Sequence, residues 1–261
     1  MSERSSVARE SKAFAGVRRG FHICANIVVA NSISHAVWLK KRWWLSSKVR
    51  VVYNGYSISK KNERLKIPDR PARHKKLLVI GRVNQGKNGL RLIQALILFW
   101  QRNGFVPSVL WVGRQEQDPK SLVLRSEMEH LLEKNPEVGK NWEWLGEREN
   151  VETLLADCDA LLHVSLFEGL PNVVCESFIA GRPVILSRVC DHPLLVGEND
   201  RGILCDPWSV GSICSAVEQF LALPSSRHQE MAENARCYAE NHLTIERMVG
   251  DFEALLKKRI A

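Results

Sequence analysis

From about Lys75 onward, short apolar runs alternate with amphipathic stretches, and that alternation constrains the fold more than any other feature. The runs are LLVIG (77–81), SVLWVG (108–113), WEWLG (142–146), ALLHVS (160–165), RPVILS (182–187) and GILC (202–205). They are short, rich in β-branched or aromatic residues, and mostly end at Gly or Ser, the pattern of strands buried on both faces. Between them lie helical stripes: Leu90, Ile93, Ala95, Leu96, Ile97 and Trp100; then Leu122, Leu124, Met128, Leu131 and Leu132; then Ile213, Ala216, Val217, Phe220 and Leu221. Strand and helix in alternation predict an α/β fold, a Rossmann-like parallel sheet with helices on both faces, wound right-handed. In such a sheet, ligands sit beyond the carboxyl ends of the strands, where the strand order reverses.

The first 75 residues read differently. Residues 26–30 and 49–53 suggest two strands with a helix over 34–45 between them, and residues 55–75 read as a linker rich in Lys, Asn, Arg and Pro. Two strands and one helix are too little for a core of their own. Charge divides the chain at the same place. Residues 1–76 carry a balance of +14, and the remainder a balance of −6. A basic region can attract nucleic acid, anionic lipid or an acidic partner, or be plain solvated surface. For nucleic acid there is no zinc pattern, RNP-like aromatic stretch or helix-turn-helix spacing, so none is expected as a partner. In HAVWLKKRWWL three tryptophans stand among cations. They fit an interfacial helix on an anionic membrane, or a helix packing its indoles on the neighbouring unit while its cations stay wet.

Composition removes other classes. With 45% hydrophobic residues the chain is too apolar for disorder. No apolar run approaches the roughly 18 residues of a membrane-spanning helix. The seven cysteines include no CxxC pair, so neither a zinc site nor a disulfide framework is expected, and reduced thiols in a cytoplasmic protein are.

Two segments carry chemistry. GRVNQGKNG, 81–89, follows the first strand and opens a helix, where backbone amides can approach an anion, and Arg82 and Lys87 add two cations. It is neither a Walker loop nor a GxGxxG turn. SLFEGLPNVVCESFIAGRPVI, 165–185, leaves the strand ALLHVS and presents Glu168 and Glu176 with seven residues between them. Gly169, Leu170 and Pro171 form a tight turn and Asn172 begins a helix, Pro171 suiting its first turn. A carboxylate accepting two hydrogen bonds, as Glu176 could, matches a vicinal diol such as a ribose. DCD at 157–159 ends a helix just before a strand and is read as structural.

Four segments in order, VVYNGYS (51–57), VIGRVNQGKN (79–88), WLGERENVETLLADCDALLHVSLFEGLPNVVCESFIAGRPVILS (144–187) and GILCDPWSVGSICSAV (202–217), resemble the donor-binding half of the GT-B glycosyltransferases, specifically the retaining family 4 group. The resemblance spans about residues 22–258. It implies a UDP-sugar donor whose glycosyl group passes, with retention, to a polysaccharide or lipid-linked acceptor, without a bound metal or cofactor. Arg82 and Lys87 match the cations on the donor diphosphate, Glu168 the carboxylate on the donor sugar, and Glu176 the carboxylate on the ribose. Gly169, Leu170, Pro171 and Asn172 fall at sugar and phosphate, and residues near Gly146 and Val151 at the base; Gly81 and Asn54, in the matching VIGRVNQGKN and VVYNGYS segments, complete the donor-binding set. The catalytic set is then Arg82, Lys87 and Glu168.

The family's N-terminal acceptor domain is only partly represented. Residues 1–54 resemble its remnant, SERSSVARE lying near its end and VVANS (28–32) in its last strand. Residues 76–243 form the donor domain and 244–261 a C-terminal helix. Either the chain is a truncated product with Met1 an internal start, or a separate acceptor-domain protein supplies the missing half; a membrane surface at the inner face of a bacterial membrane is the other partner the resemblance implies. The alternatives are a non-catalytic nucleotide-sugar-binding subunit of a split enzyme, and a GT-B type nucleotide-sugar epimerase.

Overall fold

A computed structural model describes residues 2–3, 20–58, 67–198 and 200–257. Most of the SERSSVARE segment, residues 59–66 of the expected linker and residues 258–261 of the expected C-terminal helix lie outside the described residues.

The larger unit is a six-stranded parallel sheet: β4 (Lys76–Ile80), β5 (Ser108–Val112), β6 (Trp142–Gly146), β7 (Ala160–His163), β8 (Val184–Ser187) and β9 (Gly202–Cys205). In space the order is β6-β5-β4-β7-β8-β9. The chain enters at the centre, builds outward to β6, then crosses back to lay β7 beside β4 and builds the other way. The strand order therefore reverses between β4 and β7, where Leu77 pairs with Ala160 and Leu78 with Leu161. All six apolar runs become strands.

Side chains alternate across the pleat, so both faces are apolar. Leu77 and Val79 join Phe99, Trp111 and Phe220 in one core, while Leu78 and Ile80 join Leu161, Phe178 and Leu186 in the other. Helices α2 (Gly89–Asn103), α3 (Pro119–Lys134) and α8 (Val210–Ala222) cover the first face, with the short α4 (Pro136–Gly139). Helices α5 (Val151–Asp157), α6 (Asn172–Ile179) and α9 (Ser225–His242) serve the second, and α7 (His192–Val196) follows β8.

The stripes are partly as predicted. The α8 stripe is buried throughout, whereas α2 buries Leu92, Ile93, Ala95, Leu96 and Phe99 and leaves Trp100 38% exposed. That helix is apolar over a wide arc, and spacing alone does not fix which edge turns inward. In α3, Leu124, Met128 and Leu132 are buried but Leu122 is exposed.

The smaller unit holds three parallel strands, one more than predicted: β1 (Ser2–Glu3), β2 (Val28–Ala30) and β3 (Val49–Val51), in that order. Helix α1 (Ile33–Lys40) is shorter than the 34–45 expected. Beyond it, i→i−3 bonds from Arg42 to Leu39, Leu45 to Arg42 and Lys48 to Leu45 tighten the chain. That turn buries Leu45 against Leu39 and Val49, which a continuing helix would carry away. Near the junction, Tyr56 N–H donates to Leu243 O (2.8 Å) and Ile245 N–H to Tyr56 O (3.2 Å), where α10 (Ile245–Lys257) begins. A Cβ on Gly55 would lie 2.7 Å from the Ile245 Cα, so this crossing needs glycine. Among the described residues, no helix is long and apolar enough to cross a membrane.

Candidate functional site

Two loops leave the carboxyl ends of β4 and β7 side by side, and backbone and side-chain bonds join them into one rim. Leu166 N–H donates to Gly86 O at 2.9 Å. Asn88 holds a left-handed backbone (φ 61) at the mouth of α2, and its buried amide donates to Val164 O (3.1 Å) and Pro207 O (2.8 Å). Asparagine tolerates that conformation better than most side chains. Lys87 runs across Gly81, where a Cβ would sit 2.7 Å from the Lys87 Cε.

At this rim the Lys87 ammonium meets the Glu168 carboxylate, Nζ to Oε1 2.5 Å. His163, the last residue of β7 and 1% exposed in its side chain, places Nε2 2.9 Å from the same oxygen, with Ser165 Oγ 3.1 Å from that nitrogen. An ionised carboxylate only accepts, so Nε2 carries a hydrogen and donates it. Burial, and then the Lys87 charge, push the His163 pKa down, which keeps the imidazole neutral. Burial alone would raise the Glu168 pKa. The His163 hydrogen bond and Lys87 outweigh it and hold the carboxyl well below the usual carboxylate range. The Glu168 carbonyl accepts the Cys190 thiol at 2.7 Å.

Beside the rim, Asn172 opens α6 and accepts the Asn54 amide (3.1 Å) and the Tyr56 hydroxyl (2.8 Å) on its Oδ1. Leu170 is buried in the second core and Pro171 is the N-cap of α6, with Gly169 between Leu170 and Glu168. Glu176, one turn into α6, lines a groove of about 1090 Å³ together with Val151, Leu155 and Tyr56. Burial, then the neighbouring Glu152, raise the Glu176 pKa. Gly146 ends β6 with φ 68, and its carbonyl accepts Gly113 N–H at 2.8 Å. Arg82 is exposed and pairs with Glu116 in the β5 loop, Nη1 to Oε1 2.5 Å. The structure thus brings Lys87 to Glu168, Asn54 to Asn172 and Val151 to Glu176. Among the described residues, no hydrogen bond or ion pair joins Arg82 or Glu176 to the Lys87–Glu168 pair.

The family model described as glycosyl transferases group 1 matches residues 74–222, more than half of the chain. The chain belongs to that family. As a group 1 member it is 30% identical over 126 residues to N-acetyl-alpha-D-glucosaminyl L-malate synthase of Bacillus anthracis, a stretch covering 48% of this chain and 32% of that one. It is also 30% identical over 104 residues to lipopolysaccharide glucosyltransferase WaaG of Escherichia coli (strain K12), covering 40% and 28%. The match spans about a third of the length of these relatives. A glycosyltransferase from Rickettsia africae ESF-5 superposes with a TM-score of 0.79 at 17% identity, over 97% of this chain and 68% of that one. Anabaena Alr3699/HepE, solved with UDP and glucose, gives 0.79 at 18%, over 98% and 71%. The fold is that of GT-B glycosyltransferases.

Within this group 1 chain, DCD lies at the other end of the sheet. Asp159 is fully buried and accepts from Arg70 (3.2 Å), Lys75 (3.2 Å) and the Lys76 N–H (2.7 Å), while Asp157 pairs with Arg70 and Lys76. That is the amino end of β4, and the pairs tie the strand down. Four polar residues at the rim escape the sequence reading: His163, Asn88, Ser165 and Cys190. Only His163 leaves a signal, as a lone imidazole inside an otherwise apolar strand.

Proposed function

We propose that the chain is the donor-binding part of a glycosyltransferase, holding a UDP-sugar at the β4–β7 rim for transfer of the glycosyl group, with retention, to a polysaccharide or lipid-linked acceptor. The single observation that carries this is the Lys87–Glu168–His163 cluster at the switch point of a group 1 fold. A cation there offsets the charge growing on a departing diphosphate, through a donor fixed before the reaction. Arg82, exposed on the same loop, is free to exchange Glu116 for phosphate oxygens. Glu168, kept ionised, is an acceptor for donor-sugar hydroxyls.

The Gly169–Asn172 turn opens α6 toward sugar and phosphate, and Gly81 gives Lys87 its path. Glu176, repelled by Glu152, gains two donors from a ribose diol, Gly146 and Val151 complete the surroundings of the base, and Asn54 bonds the Asn172 that opens α6. No metal has a part in this reading, since Lys87 and Arg82 supply the positive charge. A UDP complex of the Anabaena neighbour supports the nucleotide. Acceptor binding falls to a further domain, and near-attack positioning then depends on it.

Calorimetric titration of UDP against the purified chain tests the reading, with Arg82→Ala and Glu176→Ala beside the wild type. Tight binding lost in both variants is expected. Binding no tighter than millimolar and unaltered by either change would refute the site.

A further inference from the structure

We propose that Asp191 is a positioning residue that clamps the smaller, N-terminal unit to the Glu168 loop, working with Cys190 beside it; the consequence for donor binding rests on the function proposed above. Asp191 is fully buried at the start of α7, and its carboxylate reaches into the other unit. Oδ2 accepts Ile33 N–H at 2.6 Å, and Oδ1 accepts Ser34 N–H at 2.7 Å. The Ser34 hydroxyl also donates to Oδ1, and the Tyr53 hydroxyl to Oδ2 at 3.1 Å.

Ile33 and Ser34 are the first two residues of α1, whose third amide, His35 N–H, is taken by the Ser32 hydroxyl at 3.2 Å. Helix ends need outside acceptors for their leading amides, and the positive end of the helix favours a carboxylate. Here two of those acceptors come from a residue more than 150 positions away in the chain. Among the described residues, four donors and a helix terminus satisfy this buried carboxylate. Helix α1 packs on β2 and β3, so fixing its first turn fixes the unit.

The preceding residue reaches the other way. Cys190 has a left-handed backbone (φ 47), and its thiol donates to the Glu168 carbonyl at 2.7 Å. Two consecutive side chains therefore bind α1 and the loop that presents Glu168. Tyr53, on the same carboxylate, directly precedes Asn54, which bonds Asn172 just beyond that loop. The N-terminal unit is thus tied to the rim at the residue proposed to hold the donor sugar.

Hydrogen exchange on the unliganded full chain tests the clamp. In Asp191→Asn, the Ile33 and Ser34 amides should exchange about tenfold faster or more, and so should the Glu168-loop amides of Leu166 and Val174, which bond Gly86 O and Pro171 O, while β4 and β7 keep their protection. A role confined to capping α1 would speed the first pair and leave the loop unchanged, and that result overturns the clamp. Cys190→Ala separates the arms should Asp191→Asn fail to fold: the loop amides speed up while the α1 amides stay protected, and an unchanged loop again overturns it. With donor, Asp191→Asn should weaken UDP-glucose about tenfold while UDP, which lacks the sugar, changes little. An equal effect on both ligands overturns the link to Glu168. Exchange needs no ligand, so it judges the clamp even where the wild type binds no UDP, an outcome that would count against the proposed function alone.

Discussion

Lys87 and Glu168 stand 81 residues apart in the chain and 2.5 Å apart in space, at the one place where the sheet reverses its strand order. Neither loop alone makes the pair. The β4 loop brings the cation over Gly81, the β7 loop brings the carboxylate, and the Leu166–Gly86 and Asn88–Val164 hydrogen bonds hold the loops in register.

Lys87→Ala should therefore act on both stability and binding. It leaves Glu168, 17% exposed in its side chain, with the His163 donor but no cation, at a cost of about 1–3 kcal/mol. The small remaining exposure of both partners keeps this below the loss for a fully dry pair. UDP affinity should fall at least tenfold, about 1.4 kcal/mol. Urea unfolding and calorimetric titration measure the two effects, and a variant that matches the wild type in both would show the pair to be incidental.

Acid should destabilise the fold in two windows. His192 is fully buried, its Nδ1–H donates to Ser187 O at 2.7 Å, and burial holds its pKa at about 4. The unfolded chain takes that proton near pH 6.5. Between the two values the unfolded state binds more protons, so stability falls as pH drops from about 6.5 to about 4, by about 3 kcal/mol. His163, also depressed, adds in the same direction. Glu168 has a lowered pKa, so its contribution is complete above the unfolded value of about 4.3 and is lost as pH falls further below it. His192→Asn keeps a donor for Ser187 O and does not titrate. It should reduce the slope of the first window to the share that His163 carries and leave the second, read from urea midpoints across pH. A slope unchanged in that variant would assign the first window elsewhere.

The sheet was legible in the sequence because its strands are buried on both faces and read as continuous apolar runs, as in LLVIG. Helix α1 was less so. Its apolar spacing continues to Leu45, and only the small core beneath it, with Leu39 and Val49, decides that the chain turns back after Lys40. At the rim, Lys87 and Glu168 were visible as charged residues beside glycine turns. Their partners were not: His163 lies inside a strand, and Asp191 acts on a helix far away in the chain, so each depends on a contact that spacing does not encode.

Asn88 should be the most sensitive uncharged position at the rim. Its amide satisfies two buried carbonyls, and its backbone is left-handed. Asn88→Ala strands the Val164 and Pro207 oxygens and strains the turn, for about 2–4 kcal/mol of lost stability. Asn88→Gly relieves the strain but not the lost bonds, so it should lose less, by about 1 kcal/mol. Chemical denaturation of the two variants checks the order. Equal losses would mean that the backbone conformation carries no cost.

The three tryptophans of the N-terminal unit have different surroundings, and that sharpens the membrane question. Trp38 and Trp44 pack against the small core, with the Arg42 guanidinium 3.8 Å from the Trp38 ring centre, whereas Trp43 is 82% exposed beside Lys40 and Lys41. An indole held in water next to cations suits the interface of an anionic bilayer. The chain should co-sediment with phosphatidylglycerol vesicles and not with phosphatidylcholine vesicles, and should release as salt rises, since screening weakens surface attraction. Trp43→Ser should reduce the bound fraction several-fold with little change in melting temperature, because the Trp43 ring, edge-on to Trp44, is 82% exposed. Trp38→Ser should lower the melting temperature, because its indole packs on the core. Equal partition to both vesicle types, or binding indifferent to Trp43→Ser, would leave the basic surface as plain solvated surface.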